Sequence, residues 1–124
     1  MCQCMDKRSV NIAERFYRRG YSTPERKYMN PDGTATSRVF KLREKDNGKL
    51  SVDVQSLTTP EKAIGDISKY VIFDLPNEAV LALGLESYHD ELPDNPAHAI
   101  ILGMTMEDDI MPGKLARASK RIYF

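Results

Sequence analysis

Apolar and polar positions follow two rhythms along this chain. Bulky apolar runs bounded by turn formers stand at Tyr70-Val71-Ile72-Phe73-Asp74-Leu75 and at Ala97-His98-Ala99-Ile100-Ile101-Leu102-Gly103, the pattern of well-buried strands. Between them, Pro76 to Gly84 predicts a short helix, with proline at its start and glycine just past its end. This strand–helix–strand stretch holds most of the bulky aliphatic side chains and is the expected centre of the fold. Leu85 to His89 predicts one more short strand.

The helical rhythm returns near the start of the chain. Val10, Ala13, Phe16 and Tyr17 recur at three- and four-residue spacing, which predicts a helix over Ser9 to Arg19 that ends at Gly20. Residues 21–34, with Pro24, Pro31 and the turn Asn30-Pro31-Asp32-Gly33, predict a long loop. Alternation then takes over: Phe40 and Leu42 against Lys41 and Arg43, and Leu50, Val52 and Val54 against Ser51 and Asp53. With Asn47-Gly48 between them, the pattern predicts a β-hairpin over about 39–54. Thr58-Thr59-Pro60-Glu61 is a helix start, and Gly65 keeps that helix short. The last predicted helix runs from Lys114 to Arg121, after an acidic loop over 104–113. The expectation is one α+β domain over residues 1–124. It has a mixed or antiparallel sheet, three or four short helices and a frayed segment at 1–8.

Composition narrows this picture. At 124 residues, 41% hydrophobic and 29% charged, the chain can bury one core and has no apolar run long enough to cross a bilayer. No leader-like apolar stretch follows Met1, so the expected location is cytoplasmic, with no membrane association. Cys2 and Cys4 are too close together for a useful disulfide.

Net charge is zero but segregated. Residues 1–50 carry 12 Lys/Arg against 6 Asp/Glu, residues 51–110 carry 2 against 12, and residues 111–124 carry 4 against none. Either the basic ends neutralise an acidic middle, or one sign forms a patch that steers a partner.

His98, in an Ala-His-Ala context after Asn95-Pro96, has the chemistry of a general base. Arg15, Arg18, Arg19 and Arg26 lie close to Tyr21 and Tyr28, a mixture suited to phosphate and partner binding. Asp90, Glu91, Asp94 and Glu107, Asp108, Asp109 form two acidic clusters that would attract a basic partner. Cys2, Cys4, His89 and His98 match no compact zinc spacing, so neither a metal nor another cofactor is expected. No phosphate-binding glycine loop, no Gly-x-Ser-x-Gly elbow and no paired His-x-Thr/Ser motif occurs. Without a convergent catalytic set, the expectation leans against an enzyme. It is a small interaction or regulatory protein of bacterial or phage type, binding a protein partner through segregated charge. The alternatives are an enzyme on a nucleotide or nucleic acid with His98 as base, and non-catalytic nucleic-acid binding through the basic N-terminal region. Oligomeric state is not encoded in any pattern here.

Overall fold

The computed structural model describes residues 8–123 of the chain. Its strands are β1 (Arg15–Tyr21), β2 (Leu50–Val54), β3 (Tyr70–Pro76), β4 (Glu86–His89), β5 (His98–Leu102) and β6 (Lys120–Ile122). They form one six-stranded antiparallel sheet in the order β4-β5-β2-β1-β3-β6. Three α-helices, α1 (Pro60–Ile64), α2 (Asn77–Ala82) and α3 (Met111–Ala118), and several 3-10 turns complete an α+β domain. Among the described residues, no helix is long and apolar enough to cross a membrane.

Strand alternation sorts the side chains between two faces. Phe16, Leu50, Val52, Val54, Val71, Phe73, Leu75, Ala99 and Ile101 point to one face. There they pack beneath α2, α3 and the 3-10 turn Ser37–Phe40, which add Val80, Leu115, Val39 and Phe40. Each fully buried Phe, Leu or Ile contributes about 1.5–3 kcal/mol to folding. The opposite face is covered only in part. The short helix α1 sets Ala63 and Ile64 over Ile72, flanked by Tyr17, Tyr70 and Ile122. Over β2 and the start of β5 this face is polar, with Ser51, Asp53 and His98. That uncovered half-face positions the site described below.

The stretch over 70–103 is present as expected, with β3, α2, β4 and β5 in sequence. Yet β3 and β5 are not neighbours, because β2 and β1 lie between them. Residues 15–19, read as the end of a helix, together with Gly20, read as its stop, and Tyr21, read as the start of the loop, form the strand at the sheet's middle. The local reason is a turn at Asn11: its side chain accepts the Ala13 N–H (2.8 Å) and its carbonyl accepts the Glu14 N–H (3.0 Å), which diverts the backbone before a helix can start. Gly20 then serves packing rather than capping, since a Cβ there would sit 3.1 Å from the Tyr28 ring.

The expected hairpin over 39–54 forms only its second arm. Phe40 and Leu42 are buried and Asn47 and Gly48 take positive φ (53° and 78°) as predicted. However, residues 37–40 and 44–46 are 3-10 turns, and β2 pairs with β1 and β5 instead. The sheet's one sequence-local hairpin among the described residues is β4–β5, closed by the loop over 90–97. The final helix begins at Met111, earlier than expected, where Asp108 accepts the N–H groups of Ile110 (2.9 Å) and Met111 (3.0 Å). It stops at Ala118, so Lys120–Ile122 is free to pair with β3. The fraying expected over 1–8 falls mostly outside the described residues; Arg8 itself pairs with Glu91, and its carbonyl accepts the His89 N–H (2.8 Å).

One buried polar group ties the start of the described chain to this framework. Asn77, fully buried, donates from Nδ2 to the carbonyls of Val10 (3.1 Å) and Asn11 (3.0 Å) and accepts from Ser87 Oγ (2.8 Å). Replacing it by alanine strands the Val10 carbonyl and the Ser87 hydroxyl in the interior, while the Asn11 carbonyl keeps the Glu14 N–H. Asn77→Ala is expected to cost about 2–3 kcal/mol, read as a lower urea midpoint at unchanged slope. A loss below about 0.5 kcal/mol would mean that water replaces all three bonds.

Candidate nucleic-acid interface

The site begins where two neighbouring strands part. β1 and β2 pair only at Phe16–Val54 and Tyr17–Asp53, although both strands continue beyond these pairs. Val54 donates its N–H to Ala97, so even-numbered residues of β2 turn their backbone toward β5 and Ser51 turns its carbonyl toward β1. No β1 amide meets that carbonyl. The Arg18 guanidinium does, donating Nη1–H to Ser51 O (2.8 Å) and Nε–H to Val39 O (2.9 Å).

Burial pushes the Arg18 guanidinium down to about 10, with Asp46 partly offsetting and Arg43 adding to the effect. It remains a cation at neutral pH. Its hydrogen-bond partners are neutral carbonyls, and no described carboxylate forms an ion pair with it. A desolvated charge held this way is well placed to attract an anion.

Two adjoining cavities, of about 260 and 210 Å³, share Arg18 and Arg19 in their walls. In the larger, β1 contributes Tyr17, β2 contributes Ser51 and Asp53, and α1 contributes Lys62. The hairpin loop and β5 add Asn95 and His98. Asp53 lies across the ladder from His98 and accepts a hydrogen bond from Asn95 Nδ2 (2.9 Å). Burial raises the Tyr17 phenol above its ordinary value, with Asp74 and Glu61 adding to the effect, so it stays a neutral donor. His98 Nδ1 lies 3.0 Å from the Asp90 carbonyl oxygen and 3.2 Å from its carboxylate.

The smaller cavity is basic and aromatic, with Arg43 and Lys45 facing Tyr21, Tyr28 and Tyr70. The tyrosines pack on one another: Tyr21–Tyr28 edge-to-face at 5.4 Å and Tyr21–Tyr70 tilted at 5.2 Å. Guanidinium groups stack on them, Arg26 over Tyr21 (4.2 Å) and Arg19 over Tyr70 (4.4 Å). Arg19 also donates Nη1–H to the Ile64 carbonyl (3.4 Å), and the remaining N–H groups of both guanidinium ions suit a planar or tetrahedral oxyanion.

Of the residues singled out from the sequence, the fold gathers Arg18, Arg19, Tyr21, Tyr28 and His98 around these cavities and places Arg26 on Tyr21. Arg15 is elsewhere, held in a two-point contact by Asp74 (2.9 and 3.0 Å). The acidic residues fall into two groups along the chain. Asp90, Glu91 and Asp94 precede β5, and Glu107, Asp108 and Asp109 follow it. Asp90 contacts His98, Glu91 pairs with Arg8, Asp109 pairs with Lys41 (2.6 Å) and Asp108 caps α3. His89 and His98 point to opposite faces of the sheet, and Cys2 and Cys4 lie outside the described residues. No group of three metal-ligating side chains comes together among the described residues.

Tyr17, Asp53, Lys62, Asn95, Arg43, Lys45 and Tyr70 were not singled out. Reading residues 15–21 as a strand exposes part of this signal, because Tyr17, Arg19 and Tyr21 then share a face. No protein family matches this chain, and neither curated proteins nor solved structures give a match.

If Arg18 serves a ligand rather than the fold, removing its charge leaves stability nearly intact. Arg18→Met is expected to stay within about 1 kcal/mol of the parent, since an apolar stem replaces a desolvated charge and water in the open cleft reaches the freed carbonyls. By contrast, Phe16→Ala is expected to cost about 3–5 kcal/mol. Thermal denaturation of both variants compares them, and equal losses would make Arg18 a structural strut.

Proposed function

We propose that this protein binds single-stranded nucleic acid along the cleft between β1 and β2. The observation that carries this reading is the Arg18 guanidinium, held by two backbone carbonyls and ion-paired with no described carboxylate where two cavities meet. Arg19, Arg43, Lys45 and Lys62 surround it. Two adjoining cavities with shared cations suit successive phosphates better than one isolated anion. The stacked Arg26–Tyr21 and Arg19–Tyr70 pairs offer flat surfaces to unpaired bases without selecting among them.

Charge-steered binding of a protein partner has weaker support. Arg8, Arg15 and Lys41 each pair with an acid from the middle of the chain, Glu91, Asp74 and Asp109. That pattern favours internal neutralisation over an exposed acidic face.

Fluorescence anisotropy with a labelled 12-nucleotide single strand tests the reading. With about four phosphates engaged, log Kd is expected to rise with log salt at a slope near 3, and Arg19→Ala or Arg43→Ala to lower that slope by about 0.7. A salt-independent signal, or variants that bind like the parent, would overturn it.

A further inference from the structure

Resting on that reading, we propose that the bound strand is RNA and that the protein cleaves it, with His98 as the general base for the ribose 2′-hydroxyl. The geometry of Asp90 sets the tautomer. A backbone carbonyl oxygen only accepts, so the Asp90 carbonyl at 3.0 Å places the hydrogen on His98 Nδ1. In the neutral ring Nε2 then carries the lone pair. It makes no hydrogen bond to a described residue, and the ring lines the larger cavity with Arg18, Arg19 and Lys62. The Asp90 carboxylate, 3.2 Å from Nδ1, is placed to stabilise the imidazolium that forms when Nε2 takes a proton.

A base and phosphate-binding cations in one cavity match the needs of internal transesterification. The nucleophile already sits beside the phosphorus on the same ribose, so the site must remove one proton and offset charge on the phosphate oxygens. In the step proposed, His98 Nε2 takes the 2′-O–H proton and the 2′ oxygen forms a bond to phosphorus. The bond from phosphorus to the 5′ oxygen breaks, and that oxygen takes a proton from water in the open cleft. The imidazolium returns its proton to water. The products are a 2′,3′-cyclic phosphate and a 5′-hydroxyl end, and no oxidant, reductant or co-substrate is consumed. DNA lacks the nucleophile, so it would bind without reacting.

The test uses the full chain in EDTA with a labelled 12-nucleotide RNA and its all-2′-deoxy counterpart. Binding and fragment ends are measured side by side. The expected result is that both strands bind and only RNA is cut, to fragments ending in 2′,3′-cyclic phosphate. His98→Asn keeps an amide donor for the Asp90 carbonyl; it should bind RNA within threefold of the parent and cut it at least about 100-fold more slowly. His98→Ala should match it, and unchanged melting of either variant assigns the loss to the missing base. RNA that binds but stays intact, cleavage that survives in His98→Asn, or cleavage of the 2′-deoxy strand would each overturn the proposal while leaving nucleic-acid binding in place. Failure of both strands to bind would overturn the binding reading and the cleavage with it.

Discussion

The parting of β1 from β2 beyond the Tyr17–Asp53 pair constrains much of what surrounds it. An antiparallel ladder normally satisfies every backbone group between its strands, and a break in the middle of a sheet leaves donors and acceptors to be matched by other means. Here a side chain from β1 supplies the donors, bonding Ser51 on β2 and Val39 on the covering 3-10 turn. The Ser51 carbonyl is therefore matched although the ladder has parted, and the opening is deep enough to form cavities. The guanidinium loses hydration in doing so, which the lowered proton affinity of Arg18 records. Strand separation and a desolvated positive charge are thus one feature.

The short helix α1 sets the other boundary. Thr59 caps it by accepting the Lys62 N–H (3.2 Å), and Gly65 at φ 71° ends it after five residues. A longer helix could reach across β2 and β5 and would have to bury Asp53 and His98. Because it stops, those polar residues stay at an open surface, and Lys62 stands at the cavity wall. Ion pairs elsewhere engage Glu91, Asp74 and Asp109 with basic residues outside the cleft. What remains around the cleft is mainly positive, which is why the neutral total says little about the local field.

Much of the secondary structure was legible. The apolar runs of β3 and β5, the Pro76–Gly84 helix and the Thr59–Gly65 helix all stand near their expected places, because each carries its own start and stop residues. The failures share a cause. Phe16 and Tyr17 fit a helical stripe or a strand equally well, and the choice was made by β3, whose residues 70–76 pair with all of 15–21. Likewise the alternation at 40–43 predicted burial correctly but not pairing, because β2 found partners far away in the sequence. The same long-range pairing governed the site. Arg18, Arg19 and His98 stood out by residue type, whereas Asp53, Lys62 and Asn95 acquire meaning only once β2, β5 and α1 surround the opening.

The strand order has a consequence for how the chain reaches this state. β1 is first in sequence and central in space, and both of its neighbours, β2 and β3, lie downstream. During synthesis from the N-terminus, residues 15–21 therefore leave the ribosome well before either neighbour and hold Phe16 exposed meanwhile. β2 and β3 must each cross a long stretch of chain to reach an edge of β1, and β4 has no edge to join until β5 is made. Such non-local closure favours slow, all-or-none assembly over stepwise growth. The cleft, lined by residues from 17 to 98, would form at the end of that process, so half-made chains would lack it.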